Sequence, residues 1–209
     1  MLAKWITFDV DPSEREAFAA AQAAWSGLAD ARGFVAQVGG WLNAERSAAG
    51  VLSIWTDLVR YQLFMRRNQA RTGQASPAYV AGRMALASEL MRIDGPASTF
   101  AAAAQRADVL RISDCAVERP QMAQFIEQQR AAWERTADAR DFVAGSLMRV
   151  QHDEPRFLVA SFWQGAPLGR DYAAASLPSF RTNVATQAAR ETITAQRVHL
   201  VDAWRVLAS

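Results

Sequence analysis

Residues 23–36 read AAWSGLADARGFVA and residues 131–144 read AAWERTADARDFVA; ten of the fourteen positions are identical, at a constant offset of 108. The same offset pairs Pro12 with Pro120, Val51 with Val159, Ser53 with Ser161 and Trp55 with Trp163. In a chain of 209 residues this describes one folded unit written twice, an expectation of tandem duplication. A unit of that size buries only part of the surface it needs to be stable alone. The fold must therefore be one that a short unit can form and then complete against its copy.

Within the first unit, KWITFDV is short and rich in β-formers and reads as a strand. Ser13 with Glu16 three residues on reads as a capping box, opening a helix that puts Phe18, Ala21, Trp25 and Leu28 on one face. Gly33 suits the stop of that helical stretch. FVAQVGGWL and VLSIW form an antiparallel hairpin around residues 43–50, and a second helix from Asp57 to Arg71 places Leu58, Tyr61, Phe64 and Met65 on one side. Residues 72–77 break the pattern, a short helix follows, and ELMRID closes as a strand. The second unit repeats the order with LRISDCAVE, a helix from Pro120 to Arg140, FVAGSLMRV, FLVASFW, a broken helical region over 170–195, and RVHLVDAWRV as its last strand.

Strand, helix, strand, strand, helix, strand is the ferredoxin-like split βαβ arrangement. Its four-stranded sheet carries both helices on one face, so the other face must be covered. The expected fold is α+β: two tandem ferredoxin-like units, 1–95 and 108–209, joined by a linker over 96–107 whose Ala-rich part suits a short helix. Their antiparallel sheets press together as an α+β barrel within one chain. That makes the chain a pseudo-dimer and leaves room for a further homodimer.

Composition narrows the function classes. The net charge of +2 and scattered arginines give no nucleic-acid footprint; Arg60, Arg66, Arg67 and Arg71 suit one solvated helix face. Cys115 is the only cysteine, so an intramolecular disulfide and a cysteine-based zinc site are excluded, and a buried structural thiol is expected. MLAKWITFDVD lacks a signal-peptide core, and no apolar run approaches the roughly 18 residues of a membrane span. The expectation is a cytoplasmic protein with no membrane or nucleic-acid partner.

KWITFDV, AQAAW, GFVAQVGGW and IWTDLVRYQLFM together resemble the dimeric α+β barrel superfamily, and more closely its YdbC-like, antibiotic-biosynthesis-monooxygenase-like (ABM-like) group. The resemblance implies a ligand held between sheet and helices. Some such proteins oxidise aromatic polyketides with neither metal nor flavin, and others degrade haem. The haem-degrading pattern uses a histidine on the helix after the Trp-ending strand, with an asparagine and a tryptophan. Here that helix, LVRYQLFMRRNQAR, carries Asn68 near the expected position and no histidine, which argues against haem.

The chemistry-bearing residues are few. His152 lies in the turn QHDEPR and reads as a solvated turn residue. His199, in RVHLVDAW, alternates with Val198 and Leu200, so it is expected to face an interior or a pocket. Trp25 and Trp133 repeat on the first helix and read as core. Trp55 and Trp163 repeat at a strand end, where a pocket would open. Trp5, Trp41 and Trp204 occur in one unit each and suit one specialised cavity. Asp30-Ala31-Arg32 and Asp138-Ala139-Arg140 read as helix-end pairs, and Gly39-Gly40 as a bulge or a close backbone approach. The candidate site assigns catalysis to His199 and Asn68 and substrate binding to Trp55, Tyr61, Trp41 and Trp163, with no metal and no cofactor. The expected function is cofactor-independent monooxygenation of a small apolar or aromatic substrate; the alternative is a non-catalytic small-molecule-binding or structural module.

Overall fold

The computed structural model describes residues 1–43, 48–68, 79–94, 97–152, 155–165 and 192–209. In chain order these form β1 (Leu2–Val10), α1 (Arg15–Ala23), β2 (Phe34–Asn43), β3 (Ala48–Trp55), α2 (Leu58–Arg67), β4 (Tyr79–Asp94), α3 (Phe100–Arg106), β5 (Val109–Ala116), α4 (Met122–Thr136), β6 (Phe142–Val150), β7 (Arg156–Trp163), β8 (Thr192–Leu200) and β9 (Val206–Leu207). The strands run in the order β3-β1-β4-β6-β7-β5-β8-β2, and β2 pairs back onto β3, so eight strands close a barrel; β9 adds to β2. Each half has the ferredoxin-like order, β4-β1-β3-β2 and β8-β5-β7-β6. Of the helical region expected over 170–195, residues 192–195 belong instead to β8, which pairs with β5, and 170–191 lie outside the described residues, as does the break over 72–77.

Two seams join the halves. At one, β4 runs for 16 residues: its first part pairs with β1 and its last part, Ala87 to Asp94, with β6. A bulge between Glu89 and Met91 bends it across the junction. The short helix expected before ELMRID is absent from 79–94 for this reason: the segment is committed to two ladders at once. The other seam is brief, Gly40 opposite Leu200 and Trp41 opposite His199. A Cβ on Gly40 would collide with the carbonyl oxygen of His199, so the expected close backbone approach is the contact that closes the barrel.

The inner faces of both sheets fill the barrel with Ala3, Trp5, Leu52, Ile54, Leu110, Ile112, Met148, Leu158, Phe162 and Val198. Gly50 leaves the space into which the Trp5 ring fits. The linker forms the expected helix, α3, capped by Thr99 Oγ1, which accepts from Ala102 N at 3.1 Å. Its Phe100 packs edge-on against Phe162 at 6.2 Å and joins the barrel core. Strand alternation puts Asp114 and Arg156 on the same inner face, further along β5 and β7. Arg156 donates two hydrogen bonds of 2.6 Å to the Asp114 carboxylate, and Arg83 stands 3.3 Å from it.

Several local expectations are corrected. Asp11, not Ser13, is the cap: its carboxylate accepts from Ser13 N at 2.8 Å and opens a 3-10 turn before α1. Gln22, not Ala21, faces inward with Phe18 and Leu28. RVHLVDAWRV is not one strand, because a 3-10 turn over Asp202–Trp204 separates β8 from β9. That turn seats Trp204 against Phe18 (5.5 Å) and Trp41 (5.2 Å), tying the end of the second unit onto the first. Trp55 lies opposite Leu2 and Trp163 opposite Val109, so the first strands are related by 107, one less than the rest of the repeat. Cys115 is buried, as expected.

Two stability predictions follow from the barrel. Gly40→Ala is expected to cost about 2 kcal/mol or more by forcing β2 and β8 apart, read as a lowered urea midpoint. Asp114→Asn removes the negative charge that accepts two hydrogen bonds from the buried Arg156 guanidinium and is expected to cost about 3 kcal/mol by the same measurement. An unchanged midpoint in either variant would contradict the corresponding contact.

Candidate functional site

The layer between the first sheet and its helices is built on rows of cross-strand neighbours, which point to the same face. The first row is Phe34, Trp55 and Leu2. The next is Gln37, Ser53, Lys4 and Leu86. Helix α2 lies above these rows because Asp57 caps it, accepting from Arg60 N at 2.8 Å. That hydrogen bond holds the Asp57 carboxyl below the usual carboxylate range.

Trp55 is 2% exposed and is ringed by Phe34 (5.3 Å), Tyr61 (5.7 Å) and Phe64 (5.1 Å). Its indole Nε1 donates to Ser53 Oγ at 3.3 Å. The Lys4 ammonium lies 5.9 Å from the centre of the Tyr61 ring. Burial lowers the Lys4 pKa and raises that of Tyr61, so both groups are pushed toward their neutral forms. Gln37 is 6% exposed, and its Nε2 is buried with no hydrogen-bond partner. A base, a hydroxyl, an amide donor and a phenol thus sit among aromatic rings in one layer.

The second unit repeats part of this. Trp163 Nε1 donates to Ser161 Oγ at 2.8 Å, and the Arg111 guanidinium is 5.9 Å from the Trp163 ring centre. The counterpart of Gln37 is Gly145, and the Trp133 ring occupies the space a side chain there would need. Trp25, the counterpart of Trp133, is only half-buried. The two layers therefore differ where Gln37 replaces a filled aromatic contact.

The proposed site residues do not converge. Trp55 and Tyr61 share the first layer. Trp41 lies in another cluster with Phe18 and Trp204, under the Arg15 guanidinium at 4.4 Å. Trp5 is in the barrel core, so the three unrepeated tryptophans do not line one cavity. Asn68 ends α2, its amide donating to the Phe64 carbonyl at 3.0 Å. His199 is exposed, not inward-facing: Val198 takes the inner position, and His199 shares the outer row of Val109 and Trp163. His152 is an exposed turn residue with φ of 64°. Sequence reasoning passed over Lys4, Gln37 and Ser53. The signals were a lone lysine inside a strand and a serine two residues before each repeated strand-end tryptophan. Among the described residues no group of three or more His, Cys, Asp or Glu is placed to hold a metal, and no helix is long and apolar enough to cross a membrane.

Comparison with known proteins agrees with this architecture. Residues 2–76 match a domain family of unknown function, DUF4937. The uncharacterized protein YdbC of Bacillus subtilis (strain 168) is 39% identical over 67 residues, which is 31% of this chain and 56% of that protein, so the match spans little more than half of the relative. A Fusobacterium nucleatum subsp. nucleatum protein provisionally assigned as a monooxygenase superposes with a TM-score of 0.75 at 9% identity, over 99% of this chain and 94% of that one. An anthrone oxidase-like protein superposes with a TM-score of 0.63 at 12% identity, over 100% and 95%. The chain thus has the ferredoxin-like α+β barrel fold of monooxygenase-like proteins.

Lys4 supplies a pH test of the layer. Because its folded pKa is lowered, the unfolded chain binds more protons between the folded value and the ordinary lysine value, and stability rises with pH in that window. Lys4→Met is expected to be more stable than the wild type at neutral pH and to lose the rise. Urea midpoints measured upward from pH 7, stopping below the ordinary tyrosine value, read this; parallel pH profiles would contradict the buried lysine.

Proposed function

We propose that this chain is an ABM-like protein that holds a small aromatic ligand in the first-unit layer and oxygenates it without metal or flavin. The observation that carries the reading is the buried, unpartnered Gln37 Nε2 in the same row as Ser53 and Lys4. A buried amide donor without an acceptor is costly unless something supplies one. A ligand carbonyl or phenolate oxygen meets that need. Lys4, biased toward the free amine, takes a proton from the activated CH2 beside such a carbonyl. The carbanion reduces O2, the resulting peroxide anion takes the proton back from Lys4 to give a hydroperoxide, and loss of water leaves a ketone: CH2 plus O2 gives C=O plus H2O. Trp55 and Tyr61 flank the ring, and Asn68 serves by finishing α2. His199 has no role in this layer. The likeness in fold to an anthrone oxidase-like protein supports this substrate class. The repeat supports an origin by duplication, and the single buried thiol suits a reducing cytoplasm.

A second reading, a non-catalytic binding module, is favoured by the close ring packing of Trp55, Tyr61 and Phe64. Oxygen uptake with anthrone as the probe separates the two, with binding followed by quenching of tryptophan fluorescence. The oxygenase reading expects one O2 consumed per anthrone. Lys4→Met should lower the rate about 100-fold while binding stays within about threefold, and Gln37→Leu should weaken binding. Binding without uptake above the uncatalysed rate selects the module; neither binding nor uptake overturns both.

A further inference from the structure

We infer that Lys4 captures aromatic aldehydes covalently, as an imine, in the layer between the first sheet and α2. This goes beyond the oxygenation reading and does not rest on it, since neither O2 nor an acidic CH2 takes part. Of the 23 lysine and arginine residues in the chain, Lys4 alone is a lysine. Its counterpart in the second unit, on the first-strand offset of 107, is Arg111. A guanidinium stays protonated and forms no imine at neutral pH, whereas an amine that loses its proton becomes a nucleophile. Position 4 is thus the one place where the chain holds a side-chain amine. The fold sets it half-buried between Ser53 on β3 and Leu86 on β4, 5.9 Å from the centre of the Tyr61 ring on α2. Among the described residues no carboxylate pairs with it, and burial biases it toward the free amine.

The independent observation is Gln37. It is 6% exposed, and its amide Nε2 is buried with no hydrogen-bond partner. The row runs Gln37, Ser53, Lys4 across β2, β3 and β1 on the outer face. Two strand spacings, about 10 Å, separate Gln37 from Lys4, a gap that a carbonyl group over Ser53 bridges between the two long side chains. Its oxygen then takes the orphan amide hydrogen while its carbon meets the amine. Ser53 Oγ accepts from Trp55 Nε1 at 3.3 Å and keeps its own proton to donate. Trp55, Tyr61 and Phe64 supply a wall for the aldehyde's ring. The step balances without an oxidant. The free amine forms a C–N bond as the carbonyl π bond breaks, and a proton moves from nitrogen to oxygen. The carbinolamine then loses its hydroxyl and the second N–H proton as water: ArCHO plus RNH2 gives ArCH=NR plus H2O. A layer walled by aromatic rings favours that loss of water.

Reductive trapping of the full chain with 2-naphthaldehyde and cyanoborohydride at pH 7 tests this, read by intact mass and peptide mapping. Cyanoborohydride delivers hydride to the imine carbon and fixes the adduct as a secondary amine. With a single lysine, the α-amino group is the only competing amine, and mapping separates the two. The expected result is an adduct on Lys4 formed about tenfold faster than on Nα-acetyl-lysine amide under the same conditions. Lys4→Arg keeps the charge and should abolish that adduct. Gln37→Leu should slow it about fivefold with Tm unchanged or raised, because the orphan amide is gone. Butanal, which has no ring for the aromatic wall, should show no advantage over the free amino acid. An adduct confined to the α-amino group, or a Lys4 adduct no faster than on the model amine, overturns the proposal. So does an unchanged rate in Gln37→Leu or an equal advantage with butanal. Because 2-naphthaldehyde carries no CH2 to oxygenate, either result leaves the O2-uptake test of the oxygenation reading untouched.

Discussion

Each four-stranded half has helices on one face and nothing of its own to cover the other, and the mutual burial of those bare faces is the interaction on which the structure depends. Trp5, Leu52, Ile112, Leu158 and Phe162 have no alternative burial within their own half. The constraint sets everything at the seams: a long bulged β4 that serves two ladders, and a glycine at position 40 where backbone meets backbone. Helix α3 contributes Phe100 to the core, so the connection is part of the barrel and not a tether. The 3-10 turn at Trp204 then locks the end of the second half onto α1 of the first.

With the apolar inner faces committed to the barrel core, the rows that carry Lys4 and Arg111 lie in the outer layers. There the repeat is instructive because it is incomplete. Both layers keep a strand-end tryptophan hydrogen-bonded to a serine two residues before it, and a cation one strand over. They diverge at Gln37 against Gly145 and at Leu86 against Arg197. The first substitution leaves an amide where the other unit packs an indole; the second adds a charge where the first has a methyl-rich chain. One scaffold thus presents two polar rows, and among the described residues Gln37 Nε2 and both amide ends of Gln129 are buried without a hydrogen-bond partner.

Much of the fold was legible from the chain, for a physical reason. Period-2 and period-3.6 patterns report which side of an element meets apolar surface, and Leu58, Tyr61, Phe64 and Met65 behave as their spacing requires. The failures came where a segment answers to two neighbours. A short helix is expected ahead of ELMRID, but Tyr79–Asp94 is one strand that serves two partners across a bulge. His199 was assigned inward because alternation identifies the two faces of a strand but not which of them is the interior. Lys4, Gln37 and Ser53 escaped notice because each is ordinary in its own segment; only cross-strand register puts them in one row.

The sequence alone determined that there are two units, that each is ferredoxin-like, and that their uncovered faces must meet. Those properties follow from local periodicity and from a repeat, both of which are written along the chain. The tertiary structure decided which residues share a layer and which polar groups are buried without a partner. Both depend on strand register and on contacts between residues far apart in sequence, as between Arg111 and Arg197 or between Gln37 and Ser53. Register is settled by the packing of the whole barrel, and no single segment contains it.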